Sequence, residues 1–274
     1  MPVKIIDFRA RPRTPEYMES FKSEARKFTM RKIGYFPEEA PLETFLGELD
    51  AAGIVKAVFT GRDLERMTGW RTTSEYIVDV VKQTDGKLVG VAGIDPLRKD
   101  VLPEIEKAMK LGLKGISLDP AATRVMPDDR RMYPIYEKCR ELGAMVFFTQ
   151  GPAPTPGPYM KYGSPLPVDE AATDFPDVTF ICSHGCWPWV TEMVGVAWRH
   201  DNVFFETSIY HFMPGSSMYW EAANTVIPDK LLFATAHPFH PIKETVERFL
   251  QLPFKPDVLE KVMYTNAARL LKLL

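Results

Sequence analysis

Two arginines separated by one residue carry the most distinctive chemistry in this sequence. Arg9 and Arg11 stand at the end of the apolar run 3–8, which is predicted to be a buried β-strand. Side chains alternate along a strand, so both arginines are expected on one face. Adjacent guanidiniums repel each other unless an anion lies between them, and their planar forks match a carboxylate. The spacing therefore predicts an anion cradle, with salt bridges to acidic neighbours as the alternative.

A single histidine is the strongest candidate for proton transfer. His184 follows a very apolar predicted strand and precedes Gly185, which permits a close backbone approach. An imidazole at such a turn can act as a general base or acid near neutral pH. The alternative is a histidine that closes the turn through hydrogen bonds to the backbone. We interpret His184 as the candidate catalytic residue.

The elements that must position these residues alternate between two patterns. Short β-rich apolar runs predict eight strands, at residues 3–8, 54–60, 87–94, 114–119, 144–149, 178–183, 202–207 and 230–235. Amphipathic runs predict helices at residues 41–52, 72–83, 100–111, 133–142, 167–174, 188–199, 216–226, 241–250 and 256–273. This order predicts an α/β fold, a (β/α)8 TIM barrel with an additional C-terminal helix, in one domain spanning residues 1–274.

In a barrel, the residues just past each strand form the site. The further substrate-binding candidates share this position and are Arg62, Asp119, Thr149, Gln150, Tyr210 and His237. Asp119 either orients an arginine or histidine or simply precedes Pro120 in a turn, and His237 either contacts substrate or lies in solvent. The segments 12–40 and 150–166 are predicted to be long irregular loops that wall the pocket. An open doubly wound sheet is the structural alternative, although no Gly-x-Gly-x-x-Gly turn follows a strand.

Composition describes an ordinary globular protein of 274 residues, of which 45% are hydrophobic and 26% charged. The formal net charge of -2 gives no electrostatic reason to expect nucleic acid or an anionic membrane as a partner. No apolar run approaches the ~20 residues of a membrane span, and no basic-then-apolar secretion signal begins the sequence. The three cysteines lack metal-ligand spacing, so we expect a cytoplasmic protein.

Several short stretches, spread over nearly the whole chain, carry a family resemblance when they are taken together in sequence order. They are residues 5–7, 113–120, 132–137, 175–178, 183–185, 202–208, 232–239 and 266–271. In these stretches the chain resembles the amidohydrolase-related metal-dependent hydrolases, in the branch that contains aminocarboxymuconate semialdehyde decarboxylase and γ-resorcylate decarboxylase. The resemblance implies a TIM-barrel enzyme with its site at the strand ends.

The resemblance also implies a metal site, and this sequence departs from it. The family's first-strand His-x-His pair corresponds to Arg9 and Arg11, its fifth-strand histidine to Thr149, and its aspartate after the eighth strand to Ala236. Only the sixth-strand histidine, which activates the metal-bound water in the decarboxylases, remains, as His184. A guanidinium cannot ligate a cation, and a zinc site needs about three protein ligands. We therefore predict no metal cofactor, with two guanidiniums supplying the positive charge in its place.

Three functional hypotheses stay open. The first is a metal-independent enzyme that hydrolyses a lactone or ester of a small carboxylate-bearing substrate, cyclic or aromatic compounds included. His184 is its general base and Arg9 and Arg11 its anion cradle, and a C–C lyase such as a decarboxylase is the runner-up. The second is a catalytically silent relative that binds a ligand or serves as a structural subunit. The third keeps one divalent metal such as zinc, held by His184, His237 and Asp119, and a homo-oligomer is left open in every case.

Overall fold

Eight parallel strands follow one another in chain order around the centre of the molecule. The computed structural model describes residues 4–152 and 154–274. Val3, where the first strand is predicted to begin, and Ala153, within the predicted loop 150–166, lie outside this range. The strands are β1 Ile5–Asp7, β2 Ile54–Thr60, β3 Leu88–Gly93, β4 Gly115–Leu118, β5 Met145–Thr149, β6 Phe180–Ser183, β7 Val203–Glu206 and β8 Leu231–Leu232.

Backbone hydrogen bonds connect the first and last strand segments and close the sheet into a barrel. The Phe8 N–H donates to the Phe233 carbonyl (2.8 Å), and the Ala236 N–H donates to the Arg9 carbonyl (2.9 Å). Closure removes the exposed sheet edges that would otherwise invite pairing with another chain. The predicted TIM barrel is therefore confirmed, and the doubly wound alternative is wrong.

The first strand is shorter than predicted, which changes how the two arginines are positioned. The Arg9 N–H donates to Asp7 Oδ1 (3.0 Å), a local turn that ends β1 at Asp7. Strand alternation stops there: Phe8 packs inside the barrel against Phe147, whereas Ala10 packs between the barrel and its helices. The two arginines therefore follow the strand instead of lying on it.

A small apolar cluster fills the barrel, and the C-terminal helix closes its amino end. The cluster contains Ile6, Phe8, Val58, Val91, Met145, Phe147, Ile181, Leu232, Ala234, Ala267 and Ala268. The C-terminal helical segment consists of Pro256–Glu260, a π-helical turn Lys261–Thr265 and Asn266–Leu270. The Asn266 side-chain amide donates to the Leu231 carbonyl (3.0 Å) at the start of β8. This plug leaves the carboxyl ends of the strands as the open face.

The predicted helices all occur, with bounds that differ by a few residues, and the C-terminal segment described above is the ninth of them. The other eight follow. They are Leu42–Ala51, Ser74–Lys82, Val101–Lys110, Tyr133–Leu142, Leu166–Asp174, Val190–Arg199, Ser217–Ala223 and Ile242–Phe249. Shorter elements add the helices Pro15–Met18, Glu65–Thr68 and Pro120–Thr123, the 3₁₀ turns Glu19–Lys22, Arg130–Met132, Met160–Gly163 and His184–Cys186, and the hairpin strands Asp63–Leu64 and Trp70–Arg71. Within residues 4–152 and 154–274, none of the helices has the length and apolar character needed to cross a membrane.

The segment 12–40 differs from its prediction as an irregular loop, because it contains the helix Glu24–Ile33. Ser23 caps this helix, since its Oγ accepts a hydrogen bond from the Arg26 N–H (3.3 Å). Gly34 ends it in the left-handed region, with φ of 80°. The helix carries few apolar residues, so its amphipathic pattern is weak. The capping residues Ser23 and Gly34 were the features of the sequence that could have predicted it.

The Asp7 carboxylate connects the two ends of the barrel sheet. It is fully buried, and it accepts hydrogen bonds from the Thr235 N–H (3.0 Å) and the Thr235 hydroxyl (2.6 Å) in addition to that from Arg9. Burial raises the pKa of Asp7 to about 6, because the charged form loses water there. These hydrogen bonds place the residues after β1 against the residues after β8, directly below the arginines.

We expect Asp7→Ala to lower the free energy of unfolding by about 3 kcal/mol, because three buried donors lose a charged acceptor. Asp7→Asn is the matched control: its amide oxygen can still accept from the backbone, and the Thr235 hydroxyl can rotate to accept from the amide nitrogen. Urea unfolding followed by circular dichroism measures both variants. Equal stability of the two variants would show that these hydrogen bonds do not hold the barrel closed.

Candidate active site

A cavity of about 90 Å³ opens at the carboxyl ends of the strands. Its walls come from the turn and helix after β1, the hairpin after β2, the short helix after β4 and the segment after β5. The wall residues are Ser20, Ser23, Ala25, Arg26, Thr29, Leu64, Met67, Thr68, Trp70, Ala121, Ala122, Pro154, Thr155 and Pro158. The strand-end side is lined by Arg9, Arg11, Arg62, Asp119, Thr149, Gln150, His184, Ile209, Tyr210 and Phe239. The cavity therefore brings together all the predicted site residues except His237.

Arg9 lies at the base of this cavity with only 1% of its surface exposed. Its Nη1 donates to Ser183 Oγ (2.7 Å) and its Nη2 to Thr149 Oγ1 (2.9 Å), while Nε lies 4.0 Å from Glu206 Oε1. Burial, together with the nearby charge of Arg11, lowers the pKa of Arg9 to about 9, so it stays protonated at neutral pH. Neutral hydroxyls orient the guanidinium and leave most of its charge available.

Arg11 is held by a single threonine on the neighbouring strand. Its Nε donates to the Thr60 carbonyl (2.9 Å) and its Nη2 to Thr60 Oγ1 (2.7 Å). No carboxylate in residues 4–152 or 154–274 lies within salt-bridge distance of this guanidinium. Burial lowers the pKa of Arg11, because water no longer solvates the charge. A buried cation without a carboxylate partner is costly unless an anion joins it.

His184 faces the cavity with a defined tautomer. Its Nδ1 lies 3.0 Å from the Ser208 carbonyl and 3.0 Å from the Ser208 hydroxyl. The carbonyl can only accept, so we assign the proton to Nδ1, which leaves a lone pair on Nε2. Burial, reinforced by the charges of Arg9 and Arg11, lowers the pKa of His184 well below 6.5. The neutral imidazole can accept a proton at Nε2.

A buried glutamate fixes the backbone of His184 and of Ser208, the residue that holds the His184 ring. Glu206 accepts hydrogen bonds from the His184 N–H (3.2 Å) and the Ser208 N–H (2.6 Å). Its carboxylate also provides the negative charge nearest to Arg9. His184 itself has φ of 67°, an uncommon backbone conformation for a residue with a side chain. Glu206 therefore stabilises the turn that presents the imidazole, a role that the sequence analysis missed.

Arg62 and Asp119 line the cavity as a pair. Arg62 Nε donates to Asp119 Oδ1 (3.1 Å) and Oδ2 (3.2 Å), and Nη2 also contacts Oδ1. Burial favours a lower pKa for Arg62, but the charge and hydrogen bonds of Asp119 outweigh it and raise the pKa. Of the two roles left open for Asp119, the structure places it beside an arginine. The charge of Arg62 is thereby balanced within the protein.

The other predicted binding residues use most of their polar groups within the protein. Thr149 accepts from Arg9, as described above. The Gln150 amide donates to the Ser164 carbonyl (2.9 Å) and its oxygen lies 3.1 Å from Cys186 Sγ. Tyr210 packs edge-on to His184 with ring centroids 5.9 Å apart. These residues line the cavity, and their binding roles stay predictions.

His237 is buried and does not line the cavity, so it does not lie in solvent, and its contact with substrate stays a prediction. Its ring stacks on Phe45 with centroids 5.3 Å apart, and Nδ1 lies 3.2 Å from the His240 carbonyl. Nε2 lies 3.7 Å from a carboxylate oxygen of Glu48. The side chain therefore points between the barrel and the helix Leu42–Ala51. Burial lowers the pKa of His237 to about 3.

The sequence analysis also missed Arg26, which enters the cavity from the helix Glu24–Ile33. It was overlooked because it lies on a wall element and not at a strand end. The remaining residues that hold the arginines, Thr60 and Ser183, could have been identified by the strand-end rule alone, since each is the last residue of its strand.

The donor set at this site does not fit a divalent metal ion. The positions that the resemblance assigns to ligands do converge, because Arg9 contacts Thr149 and its carbonyl accepts from the Ala236 N–H. Guanidinium and methyl groups offer no lone pair to a cation, and threonine is a weak donor. Across the described ranges, no three His, Cys, Asp or Glu side chains lie together as a ligand set. The alternative set of His184, His237 and Asp119 does not assemble, since His237 points elsewhere.

A closed (β/α)8 barrel with charged side chains gathered at the carboxyl ends of its strands defines a class of proteins that carry their sites at this face. A family model described as Amidohydrolase matches residues 6–273. The chain therefore belongs to the amidohydrolase family, which confirms the resemblance inferred from its sequence. No curated protein matches the sequence.

Solved structures with the same fold include one clear relative. An uncharacterized TIM-barrel protein from Bordetella bronchiseptica is 35% identical over 98% of each chain, with a TM-score of 0.86. A 2,6-dihydroxybenzoate decarboxylase from Rhizobium is 14% identical over 98% of this chain and 99% of that one, with a TM-score of 0.71. A 5-carboxyvanillate decarboxylase from Novosphingobium aromaticivorans, complexed with manganese and 4-hydroxy-3-methoxy-5-nitrobenzoic acid, is 14% identical over 99% and 96%, with a TM-score of 0.71. The two decarboxylases are similar in fold alone.

We expect the His184 imidazole to stay neutral, with its proton on Nδ1, at neutral pH and also at a pH where an ordinary histidine is already protonated, because burial and the charges of Arg9 and Arg11 lower its pKa. Because the folded pKa lies below the value of 6.5 in an unfolded chain, His184 contributes stability that is lost as the pH falls below 6.5. Long-range ¹H–¹⁵N correlation spectra, assigned with His184→Asn, report the tautomer and the titration midpoint. A midpoint at or above 6.5 would contradict this electrostatic description.

Proposed function

We propose that this protein is an enzyme that acts on a small carboxylate-bearing molecule without a divalent metal ion. The observation that carries the proposal is the pair Arg9 and Arg11, buried at the base of the cavity and held by neutral hydroxyl and carbonyl groups. Within the described residues, Glu206 is the one carboxylate at salt-bridge distance from either guanidinium, 4.0 Å from Arg9. A carboxylate bound here would compensate charges that the protein leaves unbalanced.

The first candidate reaction is hydrolysis of a lactone or ester. The Nε2 atom of neutral His184 would remove a proton from a water molecule as its oxygen bonds to the ester carbonyl carbon. The carbonyl oxygen would become an oxyanion that the guanidiniums stabilise. As the ester C–O bond breaks, the leaving oxygen would take the proton back from His184, giving an acid and an alcohol.

Decarboxylation is the second candidate reaction, and the fold supports it through its neighbours. Two of the proteins similar in fold are decarboxylases of hydroxylated benzoates. In this reaction a C–C bond to the carboxylate breaks, carbon dioxide leaves, and the ring carbon takes up a proton. Guanidiniums that bind the departing carboxylate would stabilise the ground state and oppose this step. The cradle therefore favours hydrolysis, or a second carboxylate that does not leave.

The two reactions are distinguished by their proton balance. Ester hydrolysis at neutral pH releases a proton with the new acid, whereas decarboxylation takes up a proton and releases carbon dioxide. A panel of carboxylate-bearing lactones and hydroxybenzoates, assayed with a pH indicator and by carbon dioxide detection, tests both.

We expect His184→Asn to reduce kcat by about 100-fold or more, the range of general base catalysis. Binding of carboxylate products by that variant with no turnover in wild type would instead support a silent ligand-binding protein.

We expect Arg11→Met to weaken binding of small carboxylates by about 10- to 100-fold, as the loss of charge-assisted hydrogen bonds implies. Arg11→Lys is the conservative control, because lysine keeps the positive charge but lacks the planar fork of arginine. Its affinity for carboxylates should lie between those of wild type and Arg11→Met. Isothermal titration calorimetry with benzoate measures the effect, and thermal unfolding checks that each variant is folded. Unchanged affinity in Arg11→Met would remove the basis of the anion cradle.

We also expect enzyme activity to survive removal of metal ions. Protein treated with a strong chelator and shown by elemental analysis to lack zinc, manganese and iron should keep the activity of untreated protein. The reason is that the residues at the strand ends supply guanidinium charge where a metal would need lone pairs. Loss of activity on chelation, with recovery on adding one of these metals, would refute a metal-independent reaction.

A further inference from the structure

A fourth guanidinium, that of Arg26, lines the cavity and comes from a helix and not from a strand end. Arg26 belongs to the helix Glu24–Ile33, whose residues Ala25 and Thr29 also line the cavity. The Thr155 hydroxyl donates to the Ala25 carbonyl (3.2 Å), which ties this helix to the wall after β5. Arg26 is therefore part of a supported wall and not of a free surface helix.

The Arg26 side chain is fixed by aromatic rings. Its guanidinium carbon lies 4.9 Å from the centre of the Phe239 ring and 5.2 Å from that of Phe21, within the range of cation–π contacts. Phe239 also lines the cavity. No acidic side chain in the described part of the chain pairs with this guanidinium. Aromatic faces orient the cation while leaving its N–H donors for a ligand.

The charges around the cavity do not balance. Four arginines line it, at positions 9, 11, 26 and 62, against the single lining carboxylate of Asp119 and the buried Glu206 behind Arg9. Subtracting the two carboxylates from the four guanidiniums leaves an excess of two positive charges. Burial, and the charges of Arg62 and Arg11, lower the pKa of Arg26 to about 10, so it is still protonated at neutral pH. A ligand with one negative charge would leave one cation uncompensated.

We propose that the substrate carries two separate acidic groups, one held by Arg9 and Arg11 at the strand ends and the other by Arg26 on the helix Glu24–Ile33. This inference rests on the proposed function, since it assumes that the first carboxylate occupies the strand-end cradle. It makes Arg26 the residue that selects dianions over monoanions. Paired charges on one molecule match the excess of two, and their spacing selects molecules that span the cavity.

The test compares ligands that differ only in the second acidic group. Benzoate is the monoanion, and phthalate, isophthalate and terephthalate place a second carboxylate at three different separations. Isothermal titration calorimetry in a buffer free of carboxylates and phosphate measures each affinity for wild type, Arg26→Met and Arg11→Met. Arg31→Met is the matched control, because Arg31 lies on the same helix but is exposed and outside the cavity lining.

We expect at least one dicarboxylate to bind wild type about 10-fold or more tightly than benzoate, since one charge-assisted contact contributes roughly that factor. In Arg26→Met this preference should vanish while benzoate affinity is kept, and Arg31→Met should behave as wild type. Arg11→Met should weaken binding of all four acids.

Other outcomes distinguish failure of the dianion inference from failure of the proposed function. Equal affinity for benzoate and every dicarboxylate in wild type, with Arg11→Met still weakened, overturns the dianion inference and leaves the cradle intact. Loss of benzoate binding in Arg26→Met also overturns it, because Arg26 would then share the first anion site. Failure of wild type to bind any of the four acids overturns both this inference and the proposed function.

Discussion

The proposed site depends on two guanidiniums buried at the carboxyl ends of the barrel strands. In the part of the chain that the structure describes, Arg9 has one carboxylate nearby, Glu206 at 4.0 Å, and Arg11 has none within salt-bridge distance. Charge removed from water is costly unless an opposite charge joins it. Elsewhere in this chain a direct partner offsets that cost, as Asp119 does for Arg62 and as Arg66 does for the buried Asp95. At the strand ends, every hydrogen bond that Arg9 and Arg11 donate from their guanidiniums goes to a hydroxyl or carbonyl oxygen, and Glu206 lies 4.0 Å from Arg9. This contrast is the reason for proposing that Arg9 and Arg11 bind an anionic ligand.

The surrounding fold supplies the rigidity that such a site needs. Asp7 accepts from both sides of the barrel seam and fixes the start of the segment that carries Arg9. Glu206 holds the backbone of His184 and of Ser208, so the imidazole keeps its orientation and its tautomer. Each anchor is a buried carboxylate that accepts backbone N–H groups. The site therefore depends on interactions made by strand ends, not on the mobile tips of loops.

Much of the fold could be predicted because strand and helix patterns alternate without interruption. The strand-end rule also identified His184 and the two arginines, because the residues that follow each strand can be located in the sequence once a barrel is assumed. It could not show that the His237 ring stacks on Phe45, because the direction that a side chain takes after a strand depends on packing with distant residues. It failed for Arg26 because a helix inside a long connection carries no strand-end signal. The function of Glu206 lay in contacts with backbone groups, which no side-chain pattern reveals.

The central claim is that organic cations occupy the place where relatives of this fold bind a metal. Crystals grown with benzoate and millimolar Mn²⁺, with diffraction recorded on both sides of the manganese absorption edge, test it most directly. The account requires carboxylate density contacting Arg9 and Arg11, and no anomalous peak near His184. A strong manganese peak among the strand ends, with the two guanidiniums turned away from it, would contradict the account.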